Sequence, residues 1–95
     1  MGDRLQASEK AWGAAAHRLK AIAGDRGWAY RTHADAFRVV ERLSNEMGEP
    51  RLKILFSVAN GMHQNFYEDS KSLDYIRTEI ESVRELLEML NRAER

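Results

Sequence analysis

Leu73-Asp74-Tyr75-Ile76-Arg77-Thr78-Glu79-Ile80-Glu81-Ser82-Val83-Arg84-Glu85-Leu86-Leu87-Glu88-Met89-Leu90-Asn91 carries the most regular pattern in the sequence. Leu73, Ile76, Ile80, Val83, Leu87 and Leu90 follow one another at steps of three and four. An α-helix turns once in about 3.6 residues, so these side chains share one face. Glu79, Glu81, Arg84, Glu85 and Glu88 fall on the other faces, where their charges stay in water. Such a helix is marginal alone and must bury its apolar stripe against other helices.

The rest of the chain supplies them. Upstream, a helix is expected from about Pro50 to Tyr67, with Leu52, Leu55, Ala59, Met62 and Phe66 on one face and Phe56 and His63 at its edge. Gly61 interrupts it and marks either a close helix crossing or a local kink. Before it, Thr32 with Asp35 three residues later reads as a capping box opening a helix from His33 to Met47. Phe37, Val40, Leu43 and Met47 form its stripe, and Gly48 and Pro50 punctuate its end. The first helix is expected from about Asp3 to Ala23, with Leu5, Trp12, Ala15, Ala16, Leu19, Ile22 and Ala23 on one face and Gly24 as a left-handed cap. A second stripe, Ala7, Ala14 and Ala21 with Ala11 beside it, serves either helix propensity or the close approach of another helix.

Short connections between helices favour antiparallel neighbours. The expected fold is therefore all-α, a four-helix up-down bundle forming a single domain over residues 1–95. Its core should bring Leu55, Phe56, Ala59, Ile76, Ile80, Val83 and Leu87 together. A bundle of this size has a thin core. A homodimer with the first helix near the interface is expected on that ground, the second alanine stripe being its contact.

Composition narrows the function classes. Fifteen basic residues balance fifteen acidic ones. The net charge gives no general case for a nucleic-acid binder, though a local basic patch remains open. Without cysteine there is neither a disulfide nor a thiolate metal site. No apolar run reaches the length of a membrane span, and Met1-Gly2-Asp3-Arg4-Leu5 has no apolar signal core. A cytoplasmic protein with no membrane association is expected. No His-x-x-x-His pair, phosphate-binding glycine loop or nucleophile elbow occurs, so neither metal nor cofactor is expected.

Histidine is the side chain whose ordinary titration lies near neutrality. His17 falls off the apolar face of the first helix and reads as solvated. His33 opens the second helix, where a neutral imidazole caps or packs and a cation is disfavoured by the dipole. His63 begins the run His63-Gln64-Asn65-Phe66-Tyr67-Glu68-Asp69, which crowds polar and titratable groups into two turns. That density suits general acid–base chemistry or a structural hydrogen-bond network. His63 is expected to be at least partly buried and hydrogen-bonded to a polar side chain.

Three blocks resemble a known family. Gln6-Ala7-Ser8-Glu9-Lys10-Ala11-Trp12-Gly13-Ala14-Ala15-Ala16-His17, Arg31-Thr32-His33-Ala34-Asp35-Ala36-Phe37-Arg38-Val39-Val40 and the run from His63 to Asp69 are similar, in order, to helices of PaREP-type archaeal proteins. That family is placed in the HEPN superfamily of small helical domains. The resemblance spans about Leu5 to Leu90 and implies a HEPN-like bundle that lacks the usual leading helix. It points to Ser8, Glu9, Lys10, Trp12, Asn65 and Tyr67 as binding residues and to His63 with Asn60 as the catalytic candidates. With the first and third blocks expected to face each other, it implies Ser8, Glu9 or Tyr67 as the hydrogen-bond partner of His63.

Ribonucleases of the superfamily place an arginine before the histidine with four to six residues between them. Counting back from His63 meets Val58, Ser57 and Phe56 instead. Asn60 cannot replace a guanidinium on a scissile phosphate. Arg26 and His33 match the spacing, but in a different helix from the family pattern. The reading is therefore a non-catalytic module that binds RNA, a nucleotide or a partner protein as a dimer, a nucleotidyltransferase-like protein being one such partner. A metal-independent ribonuclease using His63 and a purely structural dimerisation module are the alternatives.

Overall fold

The computed structural model describes residues 2–64 and 71–94, with side chains from Glu9 onward. Four helices make up the described chain: α1 (Gly2–Arg26), α2 (His33–Met47), α3 (Arg51–Gln64) and α4 (Leu73–Ala93). They form an all-α bundle, and the described residues contain no strand. The part of the third helix expected beyond Gln64, Phe66 included, lies outside the described residues.

Local chemistry sets the ends. Thr32 and Asp35 close the capping box: Asp35 N donates to Thr32 Oγ1 at 3.1 Å and Thr32 N to Asp35 Oδ2 at 3.2 Å. Ser72 caps α4 by accepting from Tyr75 N at 3.1 Å. Gly48, at φ 66, ends α2 as expected, with Glu49 N donating to Ser44 O at 3.0 Å.

The first helix corrects its expectation. It passes through Gly24 and stops at Arg26, and the left-handed residue is Gly27, at φ 72. Trp28 N donates to Ala23 O at 2.8 Å and Gly27 N to Gly24 O at 3.2 Å, a Schellman closure that needs its left-handed residue at position 27. Glycine weakens a helix interior without forbidding it, and Arg26 gains from the negative helix end.

Ala15, Leu19 and Ile22 of α1, Val39 and Leu43 of α2, Leu52, Leu55, Phe56 and Ala59 of α3, and Val83, Leu86 and Leu90 of α4 form one buried core. Each fully buried leucine or phenylalanine contributes about 1.5–3 kcal/mol. Two stripes are rotated from expectation. On α4, Leu86 and Met89 are buried, Ile80 and Leu87 are half-buried, and Leu73 is exposed. This helix packs against both α1 and α3, so its buried arc is wider than one stripe. On α2, Ala36 and Val39 take the core while Phe37 is 42% exposed.

Helix directions follow from the contacts. Arg51 at the start of α3 holds Glu85 of α4, and Val58 lies beside Thr78 and Ser82, so these two helices are antiparallel. The three-residue turn Gly48–Pro50 reverses the chain between α2 and α3. The α1–α2 connection does not alternate in this way. His33 at the start of α2 meets Trp12 and Glu46 near its end meets Arg26, so residues 27–32 run back along the bundle and α2 follows the sense of α1.

Candidate functional site

One end of the bundle gathers aromatic and titratable side chains from three helices. The Trp12 indole of α1 is at its centre. The His63 imidazole of α3 stacks on it at 4.7 Å between centroids and 14° between planes. The His33 imidazole of α2 stacks at 6.2 Å and 28°. Phe56 touches the indole from the core side at 5.8 Å. Phe37 meets Phe56 edge-on at 5.2 Å and His33 at 5.8 Å. Trp12 comes from the apolar face of α1, His33 and Phe37 stand one turn apart on α2, and Phe56 and His63 stand seven apart on α3.

Each imidazole is anchored through one nitrogen. His63 Nδ1 lies 2.9 Å from Glu9 Oε1. A carboxylate only accepts, so Nδ1 carries the proton and a neutral ring keeps Nε2 as an acceptor. His33 Nε2 lies 2.6 Å from Asn60 Oδ1 and donates to it, which leaves Nδ1 available in the neutral ring. The His63 and Glu9 side chains are 40% and 36% exposed, so solvent and solutes reach the pair. His33 is exposed as well.

The structure joins some of the candidates and separates others. His63, Glu9 and Trp12 meet, as the first and third sequence blocks suggested. Asn60 partners His33 rather than His63. Lys10 is exposed on the neighbouring face of α1. The side chain of Ser8 and all of Asn65 and Tyr67 lie outside the described residues. Arg26, which matches His33 in spacing, is at the far end of α1, donating to Glu46 Oε1 at 3.0 Å and to Ala93 O at 3.3 Å. That match therefore brings no guanidinium to the imidazoles. Sequence reasoning missed His33, Phe37 and Phe56 as members of the site. The available signal was that His33 and Phe37 share a face of α2.

Chemically, the cluster offers ring surface and single hydrogen-bonding nitrogens rather than a charged cradle. Its fixed charge is the Glu9 carboxylate, which repels phosphate and accepts from N–H donors. Such a surface suits planar, polar rings that stack and hydrogen-bond at their edges. Among the described residues no cluster of His, Asp and Glu could hold a metal ion. No helix of the described chain is long and apolar enough to cross a membrane.

No curated protein and no solved structure matches this chain significantly. The model of the Archaeal PaREP1/PaREP8 family matches residues 1–87, a span that takes in every side chain of the cluster. The chain belongs to the archaeal PaREP1/PaREP8 family.

Proposed function

We propose that this chain is a HEPN-like binding module that takes unpaired RNA bases at the Trp12–His33–His63 cluster, without cleaving the strand, and works as a homodimer in the cytoplasm. The observation that carries the reading is the stacking of both imidazoles on one indole, each held by one nitrogen and reachable from solvent. Unpaired bases are recognised by stacking on aromatic and histidine rings and by hydrogen bonds at their edges. The exposed His33 and Phe37 rings extend the stacking surface outward from Trp12. No arginine side chain contacts either imidazole among the described residues, which argues against phosphate clamping and cleavage. A nucleotidyltransferase-like protein fits the same proposal as a second partner.

One observation favours a ribonuclease instead. Glu9 holds His63 through Nδ1 and leaves Nε2 for a 2′-hydroxyl, the orientation a general base needs. Incubation with single-stranded and structured RNA separates the two readings. The binding module shifts single-stranded RNA intact, and Trp12→Ala weakens the shift by roughly tenfold or more. Cleavage that vanishes in His63→Ala establishes the enzyme. Neither binding nor cleavage leaves the protein a structural module.

A further inference from the structure

Gly61 makes no tight packing contact with any other described residue. A Cβ built on it would meet none of the described residues within 4 Å, so it marks no close crossing among the described helices. It lies in helix, where glycine costs about 1 kcal/mol relative to alanine. Its position shows what the gap can do. Ile54, Val58 and Gly61 follow one another at steps of four and three along the outer face of α3, shrinking from a large side chain to none. Tyr75, Thr78 and Ser82 do the same along α4, which runs the other way. Val58, Tyr75, Thr78, Glu79 and Ser82 line one shallow groove between the helices. At one end the large Ile54 is level with the small Ser82. At the other the large Tyr75 is level with the empty position of Gly61.

Both knobs protrude into solvent: Ile54 is 61% exposed and Tyr75 57%. We propose that a second copy of this chain packs on the α3–α4 groove about a two-fold axis parallel to the helices. The inference rests on the homodimer reading and is independent of RNA binding. Such an axis lays α3 of one copy over α4 of the other at equal height. Ile54 then enters the Ser82 notch of its partner, and the partner's Tyr75 enters the Gly61 notch. A two-fold contact is made twice, so both knobs of both copies are seated.

Charge complementarity identifies the occupant. Arg51 and Glu85 stand at one end of the groove, joined at 3.0 Å within the chain. The same axis brings Arg51 of each copy to Glu85 of the other. Along the rim, Lys71 pairs with Glu79. The face is thus neutral and made of alternating signs. A second copy of the same face therefore meets Arg51 with Glu85 and Glu85 with Arg51, a contact made twice about the axis. The alanine stripe of α1 is weaker ground for the dimer. Ala14 and Ala21 are exposed but small, and Ala11 already packs on the core.

Light scattering over a dilution series of wild type and three variants tests the face. Wild type should reach twice the 11.0 kDa chain mass. Gly61→Leu fills the notch with a better helix former, so the monomer should melt no lower while the dimer dissociation constant rises roughly a hundredfold. Ile54→Arg should act similarly, and Ala14→Arg should leave the dimer intact. Adding Tyr75→Ala to Gly61→Leu should restore much of the pairing, because the new leucine then enters the space the ring vacated. A wild type that stays at 11.0 kDa overturns the homodimer reading and this face together. A dimer untouched by Gly61→Leu and Ile54→Arg keeps the homodimer and overturns the face.

Discussion

The two ends of α2 meet α1 in different chemistry. At the Arg26 end, carboxylates meet guanidiniums: Arg26 holds Glu46, and Arg18 lies 3.7 Å from Glu94. Trp28 lies beneath the guanidiniums of Arg26 and Arg42, and Gly27 closes α1. At the Trp12 end, the same needs are met by imidazoles, an amide and one carboxylate. There a nitrogen of each ring remains for a ligand, and the aromatic surface continues into solvent. The first end is closed by its own partners, while the second is stable and still chemically available. Function is assigned to the second on that difference.

Substitutions at each end sharpen the contrast. The largest effect should come from Phe56→Ala, because this buried ring carries both the core and the Trp12–Phe37 contacts. A loss of about 3–5 kcal/mol is expected in chemical denaturation. A loss under about 1 kcal/mol would mean that the aromatic end is not built on the core. Next, Gly27→Ala puts a Cβ on a left-handed residue at the closed end and should cost about 1–2 kcal/mol. An RNA gel shift of the same variant should show binding unaffected, since position 27 is far from the cluster.

The smallest effect concerns pH. The backbone N–H groups of Arg31 and Thr32, with the Arg38 guanidinium, hold the Asp35 carboxyl below its ordinary value of 3.8. A carboxyl lowered on folding stabilises above its unfolded pKa and loses that contribution as pH falls through the folded value. The α2 cap should therefore persist down to about pH 4 and weaken only below it. A carbon-detected NMR titration should place the Asp35 midpoint under 3.8. A midpoint above that value would show that the capping box is not populated in solution.

Much of the fold was legible because it rests on local rules. Thr32 with Asp35 and Gly48 bounded α2 to the residue, and three-four spacing placed every helix. What escaped were long-range choices. Leu86 and Met89 share no stripe with Ile80, and only the wedging of α4 between α1 and α3 buries them. The return of residues 27–32 along the bundle leaves no periodic trace, yet it brings His33 to Trp12. The His63–Glu9 contact was foreseen as one of three options, because two blocks were expected to face each other. Asn60 on His33 was not, since those residues are brought together by the same return.

The central claim is that RNA meets the protein at the two stacked imidazoles. The most direct measurement is an NMR titration of all three histidine rings with a short single-stranded RNA. His17, exposed on α1 and outside the cluster, serves as the internal reference. The account predicts saturable shifts at His33 and His63, little change at His17, and loss of the shifts in Trp12→Ala. Unmoved His33 and His63 signals at concentrations where the RNA binds, or shifts equal to those of His17, would contradict it.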